Sequence, residues 1–189
     1  MIDTRRGILL REIESAGQEE AAAAGGGIKD PHVWTNPLLV KIMAGHIRDA
    51  LMATDPTHRD DYEKNYAVFA AELDQLDQWI RHLFQNISSR SFMVFHPSWG
   101  YFADGYGLKQ IAIESAGREP GPRTLSSLIE QGRKEQVKVI FVQQQFSRRT
   151  AGTVAQAIGA TVVVIDPLAE DYLDNLRHIA QALAAAMQQ

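Results

Sequence analysis

Eight apolar side chains, Tyr62, Tyr66, Phe69, Leu73, Leu76, Ile80, Leu83 and Ile87, follow one another with steps of 4, 3, 4, 3, 4, 3 and 4. That spacing puts all of them on one side of an α-helix and makes an unbroken stripe that must be covered by something. No Gly or Pro interrupts residues 57–87. A continuous helix over them would run about 45 Å at 1.5 Å per residue, more than the width of a small domain. The length predicts a spine joining two lobes; a coiled-coil dimer is the alternative. Upstream, Asn36-Pro37 predicts an N-cap with proline at the first helical position. Leu38, Leu39, Ile42, Met43, Ile47, Ala50 and Leu51 continue at helical spacing to Asp55-Pro56, where the spine begins.

From residue 91 the texture changes to short apolar runs alternating with amphipathic segments. Strands are predicted at 92–95, 109–113, 139–142 and 161–165, and helices at 98–104, 124–135, 148–158 and 170–187. Such alternation gives an α/β fold with a four-stranded parallel sheet and helices on both faces. The predicted organisation is a remnant of a second lobe over 1–56, a long linking helix over 57–88 and an α/β lobe over 89–189. Residues 1–14 read as a strand end and a short helix. Residues 15–29, rich in Ala and Gly, read as a mobile loop.

Composition removes several function classes. A net charge of -4 without a Lys/Arg stripe argues against nucleic acid. The chain has no cysteine, so disulfides and thiolate metal sites are excluded and any metal must be held by His and carboxylates. The longest apolar run, Thr161 to Ile165, is far short of the roughly 20 residues of a membrane span. The N-terminus carries no signal-peptide apolar region, which predicts either a cytoplasmic protein or a natural start upstream.

Three residues share one local design. His32 in Asp30-Pro31-His32-Val33-Trp34, His96 in Phe95-His96-Pro97 and Asp166 in Ile165-Asp166-Pro167-Leu168 each stand beside a proline that stops regular structure and stiffens the backbone. His96 and Asp166 directly follow predicted strands. Ligands of open parallel sheets bind beyond the carboxyl ends of the strands, so both face one rim. Imidazole and carboxylate are a ligand set for zinc, and less strictly for manganese or iron. Each residue also has an ordinary reading: a helix-start staple for His32, a satisfied carbonyl for His96, an N-cap of the last helix for Asp166. Ser98 lacks a nucleophile elbow, and Gly100, Gly105 and Gly107 form no phosphate-binding loop.

These motifs, with Glu119-Pro120-Gly121-Pro122 and Phe141-Val142-Gln143-Gln144-Gln145-Phe146-Ser147, resemble the zinc and manganese solute-binding proteins of ABC importers, the TroA-like helical-backbone metal receptors. The resemblance spans roughly residues 28–187. It implies two α/β lobes joined by a rigid helix, with Zn2+ (alternatively Mn2+) held by His32, His96 and Asp166 in the cleft. It further implies a periplasmic or extracellular-facing receptor, not an enzyme, whose partner is an ABC importer membrane permease. Histidine at position 96 is similar to the zinc branch. The early histidine ligand and first strands of the family's N-terminal lobe are missing, and Gln143-Gln144 replaces a common Glu-Pro pair. The expectation is therefore a truncated receptor whose exposed spine self-associates. Two readings compete: an enzyme using a two-histidine, one-carboxylate site, with Glu114 or Glu119 as base, and a metal-free α/β interaction module.

Overall fold

The computed structural model describes residues 1–16, 28–114, 117–144, 146 and 148–188. Helix α1 (Pro37–Thr54) and helix α2 (Arg59–Leu83) pack on one another and lead into a strand–helix alternation. That alternation runs β1 (Ser91–Val94), α3 (Gly100–Tyr106), β2 (Lys109–Ala112), α4 (Pro122–Lys134), β3 (Val139–Gln143), α5 (Arg148–Ile158), β4 (Thr161–Ile165) and α6 (Tyr172–Met187). The four strands form one sheet in the order β2-β1-β3-β4, every pair parallel. The predicted sheet and its helices are thus the observed ones, with most ends displaced by one or two residues.

Because successive strand residues point to opposite faces, β1, β3 and β4 feed two cores. Phe92, Val94, Val139 and Phe141 pack on one face with Leu76, Ile80, Phe84, Phe102, Leu176 and Leu183 from α2, α3 and α6 and the residue after α2. Met93, Ile111, Ile140 and Val142 pack on the other with Leu128, Ala151 and Val154 from α4 and α5. All residues of β1 and β3 are buried, as expected of strands covered on both sides.

The spine is shorter than its stripe. A 3-10 turn occupies Pro56–His58, and the α-helix runs Arg59–Leu83, 25 residues, or about 37 Å. Proline at position 56 sets the first turn but offers no N–H, while Asp60 and Asp61 in the first turn and Arg81 and His82 in the last complement the helix dipole. Leu73, Leu76 and Ile80 are fully buried, whereas Tyr62, Tyr66 and Phe69 are half-buried. The stripe therefore changes partner along its length, meeting α1 first and α6 later. Ile87, its last member, lies beyond the helix and packs against the core from the following turn.

The predicted helix within residues 1–14 is absent. The segment instead pairs once with the chain after the loop, through an antiparallel bridge between Glu12 and Lys29 and an Ile13 N–H to Ile28 carbonyl bond of 2.9 Å. The core of the predicted loop, residues 17–27, lies outside the described residues. Among the described residues no helix is long and apolar enough to cross a membrane.

Candidate metal centre

His32 is held before α1 by the residue two positions earlier. Asp30 is fully buried, and its Oδ1 accepts from the His32 backbone N–H at 2.9 Å and faces His32 Nδ1 at 2.7 Å. The neighbouring Trp34 donates from Nε1 to the Pro167 carbonyl at 2.9 Å, and the Tyr172 hydroxyl donates to the Trp34 carbonyl at 2.9 Å. The His32 segment is thereby tied to the loop between β4 and α6, across more than 130 residues of chain.

His96 follows β1 and its flanking Phe95. Its Nδ1 lies 2.7 Å from Oε1 of Glu114, a buried carboxylate just past β2. The buried Gln143 at the end of β3 donates through Nε2 to the His96 carbonyl at 3.0 Å and to Ser98 Oγ at 2.9 Å. A carboxylate at position 143 could not donate those bonds, so the glutamine has a local structural reason. Phe146 stacks on the His96 ring, centroids 5.4 Å apart and planes inclined by 21°.

The two imidazoles meet tip to tip. His32 Nε2 and His96 Nε2 are 3.3 Å apart, with ring planes at 81°. Each Nδ1 faces a carboxylate, so each Nδ1 carries its proton and donates it. When both rings are neutral, that tautomer leaves each Nε2 as a lone-pair donor, and the two lone pairs face one another across 3.3 Å. Only a cation between them, a metal ion or a proton, turns that contact from repulsive to attractive.

Asp166 stands at the same rim in another arrangement. Its Oδ1 accepts from the Leu168 N–H at 2.8 Å, and its backbone carbonyl accepts from Asn175 Nδ2 at 2.7 Å. It is not the cap of the last helix; Asp171 is, accepting from the Asp174 N–H. Among the described residues no group of three or more His, Asp and Glu side chains lies close enough together to hold a metal. The fold thus joins His32 and His96 and leaves the aspartate outside their contact. Ser98 is fully buried and bonded to Gln143, and Glu119 bonds Thr150 at the surface. Sequence reasoning missed Asp30 and Glu114 as supports of the two rings. The rim rule that found His96 also places Glu114 at the carboxyl edge, just beyond the end of β2, but says nothing of which ring it meets.

With that geometry in place, comparison with known proteins becomes specific. Residues 1–186 match the family described as "ZnuA: Zinc-uptake complex component A periplasmic". The chain belongs to that family. A high-affinity zinc uptake system protein ZnuA of Bacillus subtilis (strain 168) is 34% identical over 141 residues, 74% of this chain and 44% of its own length. A putative metal-binding protein of Chlamydia trachomatis serovar D is 31% identical over 156 residues, 82% of this chain and 56% of its own. The chain thus spans about half the length of these two relatives. A crystal structure of ZnuA superposes with a TM-score of 0.90 at 41% identity, covering 98% of this chain and 70% of that one. A ZnuA deletion mutant with zinc bound superposes at 0.88 and 39% identity, covering 100% of this chain and 69% of that one.

Proposed function

We propose that this chain captures a divalent metal ion, zinc first and manganese second, for delivery to an ABC importer permease on the periplasmic or outer side of the membrane. The observation that carries the reading is the pair of Nε2 atoms 3.3 Å apart, each ring braced through Nδ1 by a buried carboxylate. Carboxylate-braced imidazole is the arrangement in which histidine usually ligates zinc, because the second bond orients the ring and raises its basicity. His32 and His96 are the first two ligands; Asp166 lies outside their contact but is tethered to the His32 segment through the Trp34–Pro167 bond, and a movement of its loop would be needed to make it the third. Three protein ligands leave a tetrahedral position open.

The reading also fits how the relatives are described, as zinc uptake components. A receptor needs reversible binding and no chemistry, so we infer that the chain is not an enzyme. Both carboxylates nearest the histidines face imidazole nitrogens at 2.7 Å, which leaves them poorly placed as general bases. We also infer that residues 1–56 belong to a second lobe, that 57–88 link, and that 89–189 form the α/β lobe.

Zinc titration followed by competition with a chromophoric chelator tests this. One zinc per chain is expected, with His32→Ala and His96→Ala each weakening it by several kcal/mol, a large part of the roughly 10–16 that a whole structural zinc site supplies. Asp166→Ala should act in the same direction. Undiminished zinc uptake in the His32→Ala, His96→Ala double variant would exclude the site.

A further inference from the structure

Arg11 is remote from His32 in sequence and touches no imidazole, yet it closes the far side of the support under that ring. Its guanidinium meets three carboxylates: Nη2 lies 2.6 Å from Glu14 Oε1, Nε 3.1 Å from Asp104 Oδ2, and Nη1 3.6 Å from Asp30 Oδ2. The last contact is the informative one. Among the described residues, Arg11 Nη1 and Asp30 Oδ2 are both buried and neither has a hydrogen-bond partner, so each is the charge that the other faces. Asp30 Oδ1 is already used by the backbone N–H and ring of His32.

The backbone straps the same two residues together. The Asp30 N–H donates to the Arg11 carbonyl at 3.0 Å, the Arg11 N–H donates to the Tyr101 hydroxyl at 3.1 Å, and that hydroxyl donates to the Asp30 carbonyl at 2.9 Å. Space has been kept for the guanidinium too. A Cβ at Gly100 would overlap Arg11 Nη1 and Cζ, although Gly100 has no left-handed backbone that would call for glycine. The first residue of α3 is thus bare where the arginine lies against it.

We propose that Arg11 is a positioning residue for His32: its fork holds the Asp30 carboxylate in the one orientation that fixes the imidazole with Nε2 toward His96. Without it, a buried carboxylate oxygen is left facing no donor and no cation, a costly state that is relieved by rotation of the group. Rotation releases His32 Nδ1. A lysine could supply charge but not a planar fork serving three acids at once. The inference rests on the reading of His32 as a metal ligand, and concerns what holds that ligand in place.

Two readouts on the full chain separate the two ideas. Zinc affinity of Arg11→Gln should fall about 10–100-fold, the usual loss when a ligand's supporting partner is removed. Arg11→Lys should recover only part of that, and Gly100→Ala, which displaces the fork without removing its charge, should shift affinity the same way. In a His32→Ala background Arg11→Gln should add nothing further. Without metal, side-chain 15N spectra should show His32 protonated at Nδ1 in the wild type and mixed between tautomers in Arg11→Gln. Should the wild type take up no zinc, the receptor reading fails while the tautomer spectra still decide the role of Arg11. Unchanged His32 spectra in folded Arg11→Gln or Gly100→Ala protein overturn the proposal, as does an equal loss of zinc affinity with and without His32.

Discussion

At the scale of single residues, the two histidines depend on their carboxylates differently. Asp30 stands two positions before His32 and bonds both its backbone and its ring, so the pair is a local unit. Glu114 reaches His96 from the neighbouring strand and bonds the ring alone. Replacing Glu114 by Gln keeps a similar shape but removes the negative charge that raises the ring's donor strength. Zinc affinity should fall about tenfold or more, within the range for lost supporting partners, with the circular dichroism spectrum unchanged; chelator competition measures it. Histidine and aspartate beside proline could be read in the sequence because the proline marks where regular structure stops. The Glu114 brace could not, because it follows from the β1–β2 register, which pairs Val94 with Ala112 and carries the flanking residues into contact.

At the scale of elements, the caps bind local structure to tertiary structure. Asn36 caps α1 by accepting from the Leu38 and Leu39 N–H groups, and its Nδ2 donates to the Tyr101 carbonyl at 3.0 Å, joining α1 to α3. Asn36→Ala removes the cap and leaves a buried carbonyl without its donor, so a loss of about 1–3 kcal/mol is expected by urea unfolding. At the start of α2, Asp55 accepts from His58 at 2.7 Å and from the Tyr62 hydroxyl at 2.9 Å. The hydrogen bond that His58 donates to Asp55, and then the carboxylate's charge, raise the His58 pKa above the usual 6.5, and the bonds from His58 and Tyr62 lower Asp55 below 3.8. A raised imidazole contributes its stability in full below 6.5 and loses it as pH climbs through the raised value. A depressed carboxyl contributes above 3.8 and loses its share as pH falls through the depressed value. An NMR titration should give a His58 midpoint above 6.5 that drops in Asp55→Ala, with faster amide exchange in the first turn of α2 above that midpoint.

At the scale of the molecule, α2 carries the load unevenly. Leu76 is fully buried where α2 meets the sheet and α6, so Leu76→Ala should cost about 2–5 kcal/mol. Val68, in the half of the helix that packs on α1, is 55% exposed, and Val68→Ala should stay within about 0.5 kcal/mol. Thermal unfolding of the two variants distinguishes a spine anchored at one end from one anchored along its whole length. The unbroken stripe predicted one helix to residue 87, but the chain turns after Leu83: Phe84 and Ile87 pack into the core and the Ser88 N–H bonds the Met187 carbonyl just before the chain enters β1, an inner strand of the sheet.

Apolar periodicity, glycine and proline punctuation and the absence of cysteine were enough to determine the four parallel strands, the helices between them and the nitrogen and oxygen character of any metal site. Those are consequences of local spacing, and local spacing is written in the chain. Which atoms of His32 and His96 face each other, which carboxylates brace them, and that Asp166 stands apart from the pair were decided only by tertiary structure. Contacts between residues separated by 18, 64 or 133 positions arise from strand register and helix packing, and no local pattern encodes them.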